Sequence, residues 1–360
     1  MQLLEPRDTP SRLMRWAAPV LAILLTLVSA AILFAALGKP PLQAFHVFFI
    51  EPLQTANGWS ELALKASPLI LIALGLALGF RARIYNIGAE GQLLVGAIFA
   101  SGVAIHTDGM DAWWILPAMV LAGAIGGGLW GAIPAWLRTR FNASETLTTL
   151  MLTYVATYLL SWLVSGPWRD PGGTNFPQSI LFSEAAMFAP LFEGLRINTS
   201  VFLTLVAVPL FWLFVAKSFL AFQLAVGGEA PAAARYAGFS ASRTVWLSLV
   251  ISGVTAGIAG AAEAAGPVGQ LTLSLSPGYG FAAIIVAWVG RLHPVGIVLA
   301  GLLLALIYLG GESAQIAMQL PAAISWLFQG MLLFFLLGAD AFVDHRLRRR
   351  RVRNPQTEAV

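Results

Sequence analysis

The stretch WAAPVLAILLTLVSAAILFAALG, residues 16–38, contains no charged side chain. A membrane helix needs roughly 17–25 consecutive apolar residues, so this stretch is long enough to cross a bilayer. It follows Arg7, Arg12 and Arg15, and a secretory signal peptide has the same charge order. The apolar part of a removable signal has only roughly 7–15 residues, however. We therefore interpret residues 16–38 as a retained first membrane span.

Charge-free intervals of similar length recur along the rest of the chain. Ten intervals, including the first, begin at Trp16, Ala66, Gly91, Ala112, Thr146, Ile197, Thr244, Ala264, Leu292 and Ser313. The 360 residues are 58% hydrophobic and 11% charged, which is far more apolar than a soluble domain. The sequence therefore predicts an all-α integral membrane protein with about ten transmembrane helices. The intervals at Ala66 and Gly91 are the shortest, so we expect two short or interrupted helices there.

The basic residues indicate how the spans are oriented. If the N-terminus is cytoplasmic, only four of the 21 Lys and Arg residues lie outside, namely Lys39, Lys65, Arg169 and Arg196. Cytoplasmic loops favour cations, so both termini are predicted to be cytoplasmic. The chain then consists of a cytoplasmic segment (1–15), a membrane domain (16–340) with an extracytoplasmic loop (166–198) and a cytoplasmic coupling loop (217–243), and a basic cytoplasmic tail (341–360).

The chain lacks the residue patterns of an enzyme. It has no cysteine and four scattered histidines, so we expect no metal site. The phosphate-binding motif G-x-x-x-x-G-K-[ST] is missing, as is a clustered nucleophile and base. The arginine-rich stretch 346–353 has no interleaved aromatic residues, so it suits the anionic leaflet of a lipid bilayer better than nucleic acid. We expect a transport subunit that binds no cofactor, with any ATP used by a partner subunit.

The segment YNIGAEGQ, residues 85–92, is a polar island between two apolar runs. One interpretation is a broken helix, because discontinuous helices often form transport sites and an ionisable group in a span is usually functional. Asn86 and Glu90 are then candidates for a polar pathway. The other interpretation places Glu90 in a cytoplasmic loop beside Arg81 and Arg83, where it complements the dipole of the next helix.

The segment NASETLTTLMLTY, residues 142–154, opens the fifth predicted span. Ser144 can accept a backbone N–H as the cap, and Glu145 lies in the positive first turn. Further along, Thr149 and Tyr154 belong to a series of hydroxyl groups that either line a passage or bond between packed helices. The sequence leaves both interpretations open.

Two further segments have defined boundaries. In FQLAVGGEAPAAARYAG, residues 222–238, Pro231 can start a helix and Gly238 can end it, which predicts a compact helix along the cytoplasmic membrane surface. SPGYGF, residues 276–281, leads into an apolar run, and its glycines predict a second interrupted helix, the counterpart of the first.

These segments, in this order, resemble the permeases of nucleoside-type ABC importers, within the group that includes ribose and branched-chain amino-acid permeases. The resemblance rests on NIGAEGQ (86–92), Glu145 with TLML (149–152) and Tyr154, DPGG (170–173) with FPQS (176–179), and GYGF (278–281). It runs from about Ser67 to Asp340. The family motif G-x-N-P-x-A-A-R-Y-A-G is similar to residues 228–238, with Ala230 at the Asn position. Thr153 likewise replaces an Asn, and a hydroxyl offers a base or ribose different hydrogen bonds from an amide.

The resemblance implies an assembly in the bacterial cytoplasmic (inner) membrane that imports nucleosides or a related small polar solute. Its expected partners are a second permease chain (the same or different), cytoplasmic ATP-binding subunits and an extracytoplasmic substrate-binding protein. It implies ATPase coupling through Gly228, Glu229, Pro231, Arg235, Tyr236 and Gly238. A nucleoside needs amide or carboxylate partners and aromatic faces, so we expect a substrate pathway along Asn86, Glu90, Gln92, Thr149, Tyr154, Tyr279 and Phe281.

Other transport functions share part of this pattern. A permease of the same class for a simple sugar or another small polar solute would have the same spans. An ion-coupled secondary transporter would need buried carboxylates, for which Glu90, Glu263 and Glu312 are the candidates. Only the ABC permease gives a role to the cytoplasmic helix around Arg235.

Overall fold

The computed structural model describes residues 2–6, 12–173 and 176–349, and most of these residues are helical. The predicted segments 1–15 and 341–360 therefore lie partly outside the described residues. The helices are α1 (Arg12–Ala36), α2 (Pro41–Phe45), α3 (Ala56–Arg81), α4 (Ala89–His106), α5 (Ile115–Phe141), α6 (Glu145–Ser165), α7 (Val201–Lys217), α8 (Phe219–Glu229), α9 (Pro231–Tyr236), α10 (Ala241–Glu263), α11 (Tyr279–Val289), α12 (Pro294–Met318) and α13 (Ala323–Asp344). Short π or 3₁₀ turns cover His46–Ile50, Glu51–Gln54, Glu184–Ala186 and Ala264–Val268. Strands β1 (Gln2–Pro6) and β2 (His345–Arg349) pair antiparallel.

Eight helices in the described part of the chain are long and apolar enough to cross a membrane. A ninth span results if α7 and α8, which are bent by 70° at their junction, count as one. The ten predicted intervals coincide with α1, with α3 to α7 and with α10 to α13. The predicted class, an all-α membrane protein with about ten helices, is therefore confirmed.

The positions of the short spans differ from the prediction. α3 is continuous over 26 residues, because it begins before the charge-free interval and includes Glu61 and Lys65. α4 is continuous over 18 residues. The expectation of short or interrupted helices at Ala66 and Gly91 is therefore wrong, and residues 82–88 connect two complete helices. The short helix is α11, with 11 residues, and the bent element is the α7–α8 pair.

The described residues form two compact units, one from the residues up to His46 with those after Ser313, and one from Val47–Ser313. In the first unit α1 packs against α13, and Ala18 is buried against Ala339 and Val343.

Glycines bring the central helices of the Val47–Ser313 unit into close contact. A Cβ built on Gly257 of α10 would lie 2.1 Å from the carbonyl oxygen of Gly123 on α5. A Cβ on Gly96 of α4 would lie 2.3 Å from the Cα of Gly257. Small residues allow helix backbones to approach in this way. The start of α4 is thereby held beside α10 and α5.

The connection between α6 and α7 is bonded to the non-helical stretch that follows α10. Backbone N–H groups of Ser179, Phe182 and Phe188 donate to the carbonyls of Leu271, Gly269 and Ala265, each at 2.9 Å. Gln178 and Thr272 form an antiparallel bridge. Residues 178–188 of the connection are therefore held by their contact with residues 265–272.

Candidate functional site

Glu90 and Gly280 join the two polar segments that the sequence singled out. The Gly280 N–H donates to Oε2 of Glu90 at 2.7 Å, and Glu90 is 7% exposed. A Cβ on Gly280 would lie 2.2 Å from the Glu90 nitrogen, so the first turns of α4 and α11 are in direct contact. The Ser276 hydroxyl accepts from the N–H groups of Gly278 and Tyr279 at 3.2 and 3.1 Å. Ser276 thus caps the start of α11, and the bond from Gly280 to Glu90 holds α11 beside α4.

Glu90 occupies the first turn of α4, as one of the two interpretations expected. Its hydrogen-bond partner Gly280 lies at the start of α11, whereas Arg81 donates to the carbonyl of Leu292 at 3.2 Å. Asn86 and Gly88 in the preceding connection are buried. The 82–88 connection is therefore an interior part of the protein from Asn86 onward.

Asn86 is the centre of a buried hydrogen-bond network. Its Nδ2 donates to Oε1 of Gln92 and to Oγ of Ser252, both at 2.8 Å, and its Oδ1 accepts from the Gly88 N–H at 3.0 Å. Asn86, Gln92 and Ser252 are each at most 2% exposed. One amide thus ties the 82–88 connection to α4 and α10. The nearby Ser248 hydroxyl is buried and has no hydrogen-bond partner among the described residues.

The hydroxyl residues of α6 separate onto two faces. The Ser144 hydroxyl accepts from the Leu147 N–H at 3.5 Å, and Glu145 pairs with Arg138 at 3.3 Å, so the predicted start of this helix is present. Thr149 is 2% exposed and its hydroxyl accepts from the Ile87 N–H at 3.2 Å. The Thr149 hydroxyl thus bonds across the helix contact. Tyr154 is 55% exposed on the outer surface of this chain and takes no part in that cluster.

The aromatic residues of α11 also differ in exposure. Tyr279 is 3% exposed and its ring meets Tyr308 edge to face, with centroids 5.5 Å apart. Phe281 is 40% exposed. Of the two, Phe281 is the aromatic face available to a neighbouring molecule.

The predicted ATPase-coupling segment, residues 228–238, begins against the end of α3 and the start of the 82–88 connection. Pro231 occupies the first turn of α9, and Gly238, with φ +77°, follows its end, as the sequence predicted. A Cβ on Gly228 would lie 2.4 Å from the carbonyl oxygen of Arg81. Tyr236 is 97% exposed. A cavity of about 440 Å³ separates α9 from α5 and is lined by Ala82, Ile84, Arg138, Asn142, Arg235 and Phe239, among others.

Sequence reasoning missed a group of charged residues inside the spans. It placed Lys65 in an outer loop, but Lys65 lies within α3 and pairs with Glu312 of α12 at 2.8 Å. Glu61 of α3 pairs with Arg196 at 3.0 Å. Glu61 and Lys65 are four residues apart and therefore lie on one face of α3. This spacing was the feature of the sequence that could have identified them.

Comparison with known proteins also indicates a membrane permease. Residues 58–337 match the family described as "Branched-chain amino acid transport system / permease component". The glucose ABC transporter permease protein TsgB13 of Haloferax volcanii is 36% identical, over 96% of this chain and 93% of its own length. The guanosine permease protein NupP of Bacillus subtilis is 30% identical, over 94% and 98%. The nucleoside permease protein NupB of Lactococcus lactis is 29% identical, over 81% and 82%.

No solved structure matches the chain. The family match covers most of the sequence and includes the 82–88 connection, α9 and α11. The chain therefore belongs to the permease components of the branched-chain amino acid transport system family.

Proposed function

We propose that the chain is the membrane-spanning subunit of an ATP-driven importer in the cytoplasmic membrane, with nucleosides as the first candidate solutes. The guanosine and nucleoside permeases align with 94% and 81% of the chain. A simple sugar is the second candidate, because the glucose permease has the higher identity of 36%. Nucleosides and glucose both contain a sugar unit with adjacent hydroxyl groups, which defines the solute class.

The packing of the end of α8, which leads directly into α9, on Arg81 and Ala82 is the observation that carries this proposal. Tyr236 presents its side chain to a partner, whereas Gly228 touches the backbone of Arg81. The connection continues to Asn86 and then to Glu90, which holds Gly280. A displacement of α9 by an ATPase therefore reaches the contact between α4 and α11. We assign ATPase docking to the segment that contains Gly228, Glu229, Pro231, Arg235, Tyr236 and Gly238.

The partners in this proposal follow from what the chain lacks. The whole sequence has no G-x-x-x-x-G-K-[ST] motif, so separate cytoplasmic subunits would hydrolyse ATP. A second permease chain, identical or different, completes the membrane part, and an extracytoplasmic binding protein delivers the solute. Both termini are cytoplasmic in this arrangement. The pairing of β1 with β2 supports a common side for the two ends.

The proposed solute path follows the two joined segments. Phe281 and Tyr154 offer exposed aromatic surface to a base or sugar ring. The buried residues Asn86, Gln92 and Thr149 position the start of α4 rather than contact solute in this conformation. Glu90 with Gly280, and Tyr279 beside them, form the contact that opens when α9 moves.

The test is uptake by cells that carry the whole importer and lack their own uptake of the probes. Labelled guanosine, glucose and leucine are supplied separately, with an importer whose ATPase cannot bind ATP as the control. We expect ATPase-dependent uptake of guanosine. Uptake of glucose alone would select the sugar alternative, and uptake of leucine alone, or uptake that persists without the ATPase, would contradict the proposal.

A further inference from the structure

Five ionisable side chains meet inside the Val47–Ser313 unit. Glu61 and Lys65 lie within the span Ala56–Arg81, Glu263 within Ala241–Val268 and Glu312 within Pro294–Met318, and Arg196 reaches them from the connection before α7. Two ion pairs account for four of them, Lys65 with Glu312 at 2.8 Å and Arg196 with Glu61 at 3.0 Å. Arg196 also donates to the carbonyl of Pro267 at 3.3 Å.

Glu263 is the third carboxylate of this group and belongs to neither ion pair. It is the last residue of α10, is 9% exposed, and makes no hydrogen bond or ion pair with any described residue. Lys65, Arg196 and Glu61 nevertheless lie close enough to interact with it electrostatically, as does Tyr279. Three carboxylates therefore share two cations, and the buried one has no donor of its own.

A buried carboxylate without donors costs several kcal/mol in general, so its presence calls for a partner. Packing does not need it, because an apolar side chain would fill the same place. The helix also changes form there, since the π turn Ala264–Val268 follows directly, and such turns occur frequently at functional sites.

Two side chains of the group are exposed on the surface of this chain. The Glu312 side chain is 51% exposed although it lies within a span, and Arg196 is 64% exposed. Charged groups at membrane depth face water-filled cavities or protein rather than hydrocarbon. The exposed side chains of Glu312 and Arg196 mark the side from which a polar solute would reach this group of residues.

We propose that Glu263 binds the imported solute by accepting hydrogen bonds from two adjacent hydroxyl groups of its sugar unit. A carboxylate accepts hydrogen bonds through both oxygens, and such charge-assisted bonds are stronger than neutral ones. The neighbouring Tyr279 and Tyr308 rings supply an apolar wall. Ribose and a hexose share this hydroxyl chemistry, so the inference rests on the proposed function but not on the choice between its two solutes.

The experiment compares the wild-type importer with Glu263→Gln in cells that lack other uptake of the probes. The probes are guanosine, 2′-deoxyguanosine and 2′,3′-dideoxyguanosine, and in a second arm glucose and 2,4-dideoxyglucose, which has no two adjacent hydroxyl groups. Both variants use the same binding protein, so its preference cancels in the ratio of wild-type to variant uptake. We expect a ratio of about ten for the fully hydroxylated solute, falling towards one as hydroxyls are removed.

Two controls separate binding from assembly. Glu193→Gln neutralises an exposed carboxylate on the 166–198 connection and should leave uptake unchanged. Copurification with the ATPase shows whether Glu263→Gln still assembles, and Glu263→Asp, which keeps the carboxylate, should retain part of the discrimination.

Equal ratios for hydroxylated and deoxy solutes, or unchanged uptake by Glu263→Gln, would overturn the inference while leaving the importer function intact. Wild-type uptake of neither guanosine nor glucose would remove the proposed function, and the inference with it.

Discussion

At the scale of single residues, Gly280 and Asn86 have closely restricted surroundings. Gly280 lies with its Cα against Glu90, where a Cβ would be 2.2 Å from a backbone nitrogen and 2.4 Å from a Cα. Asn86 uses both ends of its amide inside the protein. Backbone atoms inside packed helices cannot move aside as a flexible side chain can, so neither position tolerates a change of shape or polarity.

Replacing Gly280 with alanine should displace α11 from α4. Overpacking of this kind costs about 1–3 kcal/mol, so we expect a lower unfolding midpoint for the purified assembly and a loss of uptake. Gly330→Ala is the matched control, because a Cβ there meets nothing within 4 Å. Equal behaviour of the two variants would show that the contact is not as close as described.

Replacing Asn86 with alanine should destabilise the protein. The change leaves Gln92, Ser252 and the Gly88 N–H without a partner, and each buried unsatisfied group costs about 1–3 kcal/mol. Thermal unfolding measures the effect, with Asn57→Ala at an exposed position as the control. A double-mutant cycle with Ser252→Ala should give a coupling free energy clearly different from zero, and strict additivity would argue against the bond.

At the scale of elements, α9 follows directly from the end of α8, which packs on the start of the 82–88 connection. α9 has only six residues, and Ala234 is its buried position. Isolated helices of this length are marginal in water, so the helical form of α9 depends on the elements around it. Such an element can move as a body without unfolding a long span.

Tyr236→Ala and Arg235→Ala should reduce uptake by about tenfold or more while membrane insertion is unchanged. A side chain that is 97% exposed contributes little to folding but much to a partner surface. Uptake and ATPase activity are measured together, and ATP hydrolysis that continues without transport is the expected sign of uncoupling. Tyr158→Ala, 74% exposed on α6, is the control. Normal transport with a normal ATPase rate in both coupling variants would refute the assignment.

The sequence predicts the number of helices well because each one needs a long apolar run. It predicts the start of α3 poorly, since Glu61 and Lys65 interrupt the apolar run yet are paired with Arg196 and Glu312 inside the protein. Those partners are distant in sequence, so a local pattern cannot show them. The short α11 is likewise hidden within an interval that also contains the π turn Ala264–Val268 and the non-helical residues after it.

At the scale of the whole molecule, the predicted orientation can be tested on a chain without cysteine. Thr174 and Pro355, expected outside and inside, lie outside the described residues. Exposed described positions serve instead, namely Glu193 on the 166–198 connection and Ala232 on α9. An impermeant thiol reagent added to intact cells should label Glu193→Cys but not Ala232→Cys. Labelling in the reverse order would overturn the topology.

The contacts of the candidate site could not be predicted from the sequence either, because they join residues that are far apart along the chain. NIGAEGQ and GYGF were recognisable as special, but the bond from Glu90 to Gly280 spans 190 positions. Thr149 and Tyr154 lie five positions apart on one helix, yet one is buried and the other exposed. Glu263 was one of three candidate buried carboxylates in the sequence, and only the packed helices show that it has no hydrogen-bond or ion-pair partner among the described residues.

The bonds between the 166–198 connection and residues 265–272 also constrain how the protein is made. The Leu271 N–H that donates to the Ser179 hydroxyl is 92 positions later in the chain. At a synthesis rate of roughly 5–20 residues per second, Ser179 leaves the ribosome several seconds before its partner. During that interval the polar backbone of the connection has only water or the translocation machinery to satisfy it. We therefore expect the connection of the nascent chain to be sensitive to proteolysis during this interval. That sensitivity should end once α10 and the residues that follow it have been made and inserted.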